Sequence, residues 1–312
     1  MAQHMEIINE ECFRNCRRRC CRDSAKRPYD FGAYSIITMS KRLEKKKRGW
    51  ITSKNADIND LYERSVQCPE SEVDLIYQAW LELRNRKPHT IREDFCGTSA
   101  VAREWVKRDE QNRVWGVDLD HEVLGWARAK MDNELSLEQR GRVKLSEEDV
   151  LCVEGEKVDS VLAMNFSYFG FKERKNLLEY FTAVRSSLVD DGLFLLDAYG
   201  GSDSFLEMEE DRDLDGFTYI WDQHSVNPIT GHILNHIHFE FPDGSKIERA
   251  FTYDWRFWTL PEIKDVLLEA GFSAVNVYWE GTDEDGDGNG RWKIDERGEA
   301  CAGWVAYIAA SC

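Results

Sequence analysis

Long apolar runs are missing from this chain: no stretch approaches the ~20 residues that a membrane-spanning helix needs. A helical membrane protein is therefore excluded. Nor is a secretory signal expected, because Glu6, Glu10 and Glu11 precede any apolar stretch. The 9 cysteines in 312 residues make no disulfide framework, and Cys68, Cys96, Cys152, Cys301 and Cys312 are widely scattered. These absences lead us to expect a cytoplasmic protein in a reducing compartment. The chain also has no G-x-G-x-x-G run, which a dinucleotide site needs for close approach of a pyrophosphate. It shows no internal repeat. Basic charge is short over most of its length: residues 1–50 hold 13 Lys+Arg against 6 Asp+Glu, leaving 28 against 52 for residues 51–312. So acidic a body suits phosphate backbones poorly, and nucleic acid is not the expected partner unless the basic arm supplies the grip. The basic run at 41–48 reads as that grip, as a nuclear localisation signal, or as a solvated face.

With 42% hydrophobic and 12% aromatic residues, the chain can bury one large core or a core with an appended subdomain. Residues 1–50 read as a basic, flexible extension, and 51–312 as the folded body. Residues 56–88 carry apolar positions at helical spacing, as a helical lid would. Within 90–128 the order is strand, tight turn, helix, strand and a carboxylate at the strand end. The turn Glu93-Asp94-Phe95-Cys96-Gly97-Thr98-Ser99 opens a helix, whose first N–H groups can face a ligand. Asp118 follows Gly97 by 21 residues, a spacing that places a carboxylate to accept hydrogen bonds from two ribose hydroxyls. Asp120 reads as the N-cap of the next helix. Strands are expected near 142–145, at 158–164 and at 193–196, with a helix over 172–188. This alternation argues for a mostly parallel sheet with helices on both faces. Between 213 and 258 the pattern changes to an inserted antiparallel β-meander. Thr259-Leu260-Pro261-Glu262 then supplies a capping box, and 274–279 and 304–308 read as the last strands.

At the turn and the two acidic strand ends the sequence resembles the class I S-adenosylmethionine-dependent methyltransferases. Cys96-Gly97-Thr98 matches the family's glycine-rich first motif, Glu93 its first acidic position, Asp118 its ribose position, and Asp149-Val150 the pair flanking adenine. Phe95 and Ser99 stand where the first and third glycines usually do. The resemblance covers residues 90–307 and implies a doubly wound seven-strand sheet with S-adenosylmethionine as cofactor. It implies cofactor contacts from Glu93, Phe95, Cys96, Gly97, Asp118, Leu119, Asp149, Val150 and Asn165. After the fourth strand some amine methyltransferases carry an Asn- or Asp-Pro-Pro-aromatic motif. Here Asn165-Phe166-Ser167-Tyr168 keeps the polar and aromatic ends. Asn165 and Tyr168 are thus the candidate catalytic residues, Asn165 having the alternative role of closing the strand end.

Because the sulfonium donor is already activated, alignment and exclusion of water dominate such a reaction, and a dedicated base is optional. The expected acceptor is a small or peptidic amine, since aromatic faces and an acidic surface both favour a cation. Methylation of a small acid or phenol is the alternative, and a non-catalytic methyltransferase-like binding protein is the rival from another class. Tyr62, Tyr168, Tyr253 and Trp255 are the candidate substrate contacts. For Tyr62 helix packing is the competing reading, and for the row Phe251, Tyr253, Trp255, Phe257 it is sheet core.

No metal is expected. His232, His236 and His238 share a strand face that reads as a polar sheet exterior. The run Asp283-Glu284-Asp285-Gly286-Asp287-Gly288-Asn289-Gly290 begins like a calcium loop but has Ile294 where the bidentate glutamate belongs, so it reads as a mobile acidic loop. Cys12, Cys16, Cys20 and Cys21 lie among arginines and lack the C-x₃-C-x₂-C spacing of a radical enzyme, position 19 being Arg.

Overall fold

In the computed structural model residues 51–282 and 288–312 are described. The expectations for residues 1–50, the cysteine cluster and the 41–48 basic run therefore lie outside the described residues, as do 283–287 of the calcium-like segment.

The strands β1 (Thr90–Asp94), β2 (Arg113–Asp118), β3 (Val143–Glu147), β4 (Val158–Ala163) and β5 (Leu188–Gly200) form the parallel half of one sheet, in the order β3-β2-β1-β4-β5. Beyond β5 follow β12 (Trp304–Ser311), antiparallel to it, and then β10 (Ala274–Thr282), antiparallel to β12 and so aligned with the parallel strands. The expected α/β architecture is present. An eighth, edge strand, β11 (Gly288–Ile294), pairs with β10 where the sequence reads as an acidic loop. Its Gly-Asn-Gly-Arg-Trp-Lys-Ile sequence has no apolar alternation. It is held by backbone pairing, by the Glu280 carboxylate accepting the Gly290 N–H at 2.8 Å, and by Trp292 against Tyr307 at 4.5 Å between centroids.

Helices cover both faces, so the central strands are buried in both directions. Val161 and Ala163 of β4 and Phe194, Leu196 and Ala198 of β5 point into one core, while Leu162, Leu193 and Leu195 point into the other. The second core is closed by α2 (Pro69–Arg84), which follows α1 (Ile58–Val66), and by α3 (Ala100–Arg108). Trp80 of α2 is fully buried, its indole N–H donating to Ser160 Oγ at 2.7 Å. Two further helices, α4 (His121–Glu134) and the single turn α5 (Leu137–Arg140), link β2 to β3. As expected, Asp120 caps α4 by accepting from the Glu122 and Val123 N–H groups.

The first core packs against α6 (Arg174–Ser187) and α7 (Leu260–Glu269), whose Thr259/Glu262 capping box is formed. It is pinned to β1 by a buried polar cluster. The Arg92 guanidinium forks onto Asp94 at 2.7 and 3.0 Å, and the Tyr180 hydroxyl donates to the same carboxylate at 2.8 Å.

The insert is a separate four-stranded antiparallel sheet, β6 (Met208–Leu214), β7 (Phe217–Val226), β8 (His232–Glu240) and β9 (Lys246–Arg256) in that order. Its first strand begins at Met208, ahead of the 213 read from the pattern. One face carries Tyr219, Trp221, Ile233, Ile237, Phe239 and Trp255 into the first core. Among the described residues no helix is long and apolar enough to cross a membrane.

Candidate active site

The turn after β1 works without its usual glycines because other residues take the same backbone conformation. Phe95 and Ser99 adopt φ 57°, and Gly97 adopts φ 50°. For an L-residue this region costs roughly 1–2 kcal/mol. At Phe95 that cost is opposed by edge contacts of its ring with Tyr180 (5.6 Å) and Phe171 (6.1 Å). The turn is closed by Cys96 N–H to Val117 O (3.0 Å) and Ser99 N–H to Cys96 O (2.7 Å). Cys96 packs over Gly116, where an added Cβ would lie 2.9 Å from the Cys96 sulfur and 2.7 Å from Leu145. Gly97, by contrast, faces open space, with no atom within 4 Å of an added Cβ. Ser99→Gly trades relief of this strain against the ~0.5–1 kcal/mol entropic penalty of glycine. Its melting temperature should therefore stay within a few degrees of wild type, with donor affinity retained; loss of affinity would show that the serine itself is required.

Asp118 ends β2 beside this turn. Its Oδ2 accepts the Gly97 N–H at 2.7 Å and its Oδ1 the Asp120 N–H at 2.9 Å, so the carboxylate is fixed while each oxygen keeps a further lone pair. Leu119 beside it is 68% exposed, an apolar surface large enough to receive a flat ring. Asp149 is exposed and turns its Oδ1 back to the Leu151 N–H at 2.9 Å; Val150 is buried.

Glu93 is buried beneath the turn, its Oε2 accepting the Ala102 N–H at 3.1 Å. Burial pushes its pKa up to about 8, although the Ala102 N–H and the Arg103 guanidinium favour the carboxylate. The folded chain thus holds a proton that the unfolded chain releases above its ordinary value of 4.5. The associated stability is complete below that value and is lost progressively as pH rises towards 8. Relative to wild type, Glu93→Gln should show a flatter dependence of melting temperature on pH between 5 and 8; parallel profiles would contradict a buried neutral Glu93.

Helix α1 lies over the turn and is tied to it. The Thr98 hydroxyl donates to Gln67 Oε1 at 2.9 Å, just past the helix. Arg103, itself buried, donates to Thr98 O (2.6 Å), Glu63 (2.7 Å) and Glu134 (3.1 Å), joining α1, the turn and α4. Tyr62 of the same helix packs on Phe251 with ring centroids 4.9 Å apart and shares a hydrogen bond with Tyr253. Burial raises its phenol pKa. Tyr62 and Tyr253 are thus brought together, linking helix to insert.

The end of β4 is held by a residue outside the motif. Asp197 of β5, 6% exposed, accepts the Asn165 N–H at 2.8 Å and the Phe166 N–H at 2.9 Å, fixing both residues at left-handed φ of 57° and 59°. This reversal turns the following 3-10 segment, Ser167–Gly170, inwards. Tyr168 consequently becomes fully buried, its hydroxyl donating to Asp197 O at 2.7 Å. The expectation of a substrate-facing or catalytic Tyr168 is corrected: it is core. Trp255 is corrected likewise, buried among Tyr253 (4.5 Å), Phe169 (6.0 Å) and Trp221 (6.4 Å).

Phe166 instead lines a cleft between β5, the insert and the start of β12. The cleft presents Tyr199, Trp221 and Trp304 together with the carboxyl groups of Asp203 and Glu210. Sequence reasoning missed this acidic, aromatic pocket because its residues come from four separated segments. Only the aromatic density of the insert hinted at it.

No protein-family model and no curated protein matches the sequence. Solved structures do match. A S-adenosylmethionine-dependent methyltransferase from Clostridium acetobutylicum superimposes with a TM-score of 0.60 at 18% identity, over 80% of this chain and 96% of that one. SAM-bound CalS10, an amino pentose methyltransferase from Micromonospora echinaspora, gives 0.54 at 14% identity, over 91% and 100%. The sugar N-methyltransferase KedS8 from Streptoalloteichus gives 0.53 at 13% identity, over 93% and 98%. The chain has the fold of the class I, Rossmann-like methyltransferases.

Proposed function

We propose that this protein is a S-adenosylmethionine-dependent methyltransferase acting on an amine of a small-molecule or peptidic acceptor. The observation that carries this reading is that two features lie at the carboxyl ends of the same sheet's strands. One is a strand-end carboxylate, Asp118, latched to a left-handed turn that leaves Gly97 open; the other is the aromatic, carboxyl-lined cleft that Phe166 borders. Ligands of open α/β sheets bind at this end.

The residues fit the donor. Asp118 would hold the ribose hydroxyls, Leu119 and Val150 would flank the adenine with Asp149 beside it, and the turn Phe95-Cys96-Gly97 would pass beneath the amino-acid portion. Asn165, next to the cleft-lining Phe166, would face the donor from the end of β4. When bound, the cofactor supplies an electrophilic methyl group on a sulfonium. The chain's own contribution is alignment and exclusion of water. Helix α1 closes over the turn through Arg103 and Thr98, and the Tyr62–Tyr253 pair ties that helix to the insert.

Phe166, Tyr199 and Trp304 line the cleft with aromatic rings that would attract a cation, and Asp203 and Glu210 line it with carboxyl groups that would attract and orient an ammonium group before it loses its proton. Nitrogen methylation by the sugar N-methyltransferase that shares the fold supports this choice of acceptor. Incubation with methyl-labelled donor and a panel of amines, including amino sugars and peptides, tests it. Label should enter amines; transfer confined to carboxylic acids or phenols would favour O-methylation, and label in RNA would overturn the argument from acidity. Glu210→Gln should raise KM for a cationic acceptor about tenfold, the loss of one charge-assisted contact, with donor affinity unchanged.

A further inference from the structure

The outer face of the insert carries a cluster that the transfer reaction does not use. Asp222 and His224 on β7 and His236 on β8 place their donor atoms within 4.8 Å of one another. Asp222 lies directly opposite His236 in the antiparallel register, and His224, at the bulge between Gln223 and Ser225, brings its ring centroid to 5.1 Å from that of His236. His232, His236 and His238, read from the sequence as a polar sheet exterior, do not form this group together: His232 is exposed at the strand end, and His224 lies on the neighbouring strand.

The outer contacts of the cluster are those of a ligand set. His236 is 3% exposed; its Nδ1 lies 2.9 Å from Thr252 Oγ1, while its Nε2 is buried with no hydrogen-bond partner. With Nδ1–H donating to Thr252, Nε2 presents an unoccupied lone pair, the arrangement by which a second hydrogen bond orients a metal-binding imidazole. His238 supplies the corresponding support for the carboxylate. The Arg249 backbone N–H donates to its Nδ1 at 3.0 Å, so its proton resides on Nε2, which faces Asp222 Oδ2 at 3.3 Å. A buried acceptor without a donor is costly in a folded protein, and a cation satisfies it.

We infer that Asp222, His224 and His236 bind one divalent transition-metal ion, such as Zn²⁺ or Co²⁺. Two imidazoles and one carboxylate suit these ions, whereas Mg²⁺ and Ca²⁺ require oxygen donors. Ligand bonds of about 2.0–2.2 Å require the three atoms to close from their present spread, a movement that the exposed His224 can supply. The ion would join β7 to β8 next to the bulge between Gln223 and Ser225. The inference is independent of the methyl-transfer reading.

The full chain, with thiols kept reduced, is titrated with Co²⁺ and melted with and without Zn²⁺. Spectroscopy matters because Cys12, Cys16, Cys20 and Cys21 are competing ligands in the same chain. One ion per chain is expected at this site, giving visible d–d bands without thiolate-to-cobalt charge transfer, and Zn²⁺ should raise the melting temperature. His236→Asn and His224→Ala should each weaken binding at least about tenfold, and His232→Ala should not. If His236→Asn fails to fold, the exposed His224→Ala carries the test. Affinity unchanged in His224→Ala, a spectrum due to thiolates alone, or no binding would overturn the inference.

Discussion

Asp118→Ala lowers affinity for S-adenosylmethionine by tens of fold or more and leaves the fold intact. The carboxylate is proposed to accept hydrogen bonds from the ribose, and each such bond to a charged group is worth roughly 1.5–3 kcal/mol. The variant also releases the Gly97 N–H, now held at 2.7 Å, so part of the loss comes from a loosened turn. Asp118→Asn separates the two contributions. Its carbonyl oxygen can still accept from Gly97, but a charge and one acceptor are gone, so affinity should fall between wild type and Ala. Donor titration by calorimetry, with circular dichroism as the control, decides the matter. A folded Ala variant with unchanged affinity would remove the donor site, and an unfolded one would make Asp118 structural.

Asp197→Ala should have the largest effect on stability. Its carboxylate accepts the backbone N–H groups of two consecutive left-handed residues, Asn165 and Phe166. Removing it leaves two donors without partners in a largely buried site, at roughly 1–3 kcal/mol each, and frees a strained pair to relax. A destabilisation of about 2–6 kcal/mol follows, which lowers the melting temperature of a domain this size by about 2–4 °C per kcal/mol. Turnover should fall more than donor affinity does, because Phe166 borders the cleft proposed for the acceptor whereas Asp118 lies at the end of β2. Melting within a degree of wild type would show that the β4 end holds its shape unaided. Retained turnover in a destabilised variant would place the acceptor elsewhere.

Much of this site is local in sequence and was therefore legible. A strand, a turn closing on itself within four residues and a carboxylate 21 residues later are set by short-range geometry, and Gly97 and Asp118 meet through one hydrogen bond. The Asp120 and Thr259 caps likewise join residues two or three positions apart. Phe95 and Ser99 were harder to read, since a missing glycine suggests a changed turn. The backbone instead keeps the left-handed conformation, supported at Phe95 by rings from distant elements.

The sequence by itself determined the layered α/β architecture, the place of the antiparallel insert and the turn that follows β1, because hydrophobic periodicity and turn chemistry act over neighbouring residues. Only tertiary structure decided which aromatic residues line the cleft. Tyr168 was drawn into the core when Asp197 reversed the chain beside it, and Trp255 was buried by Phe169, while Phe166, Trp221 and Trp304 were left at the cleft. It also decided that Gly288–Ile294 is a strand, by offering β10 as an edge, and that His236 meets Asp222 and His224 rather than His232. Such choices depend on strand register and on side chains far apart along the chain, which no local pattern encodes.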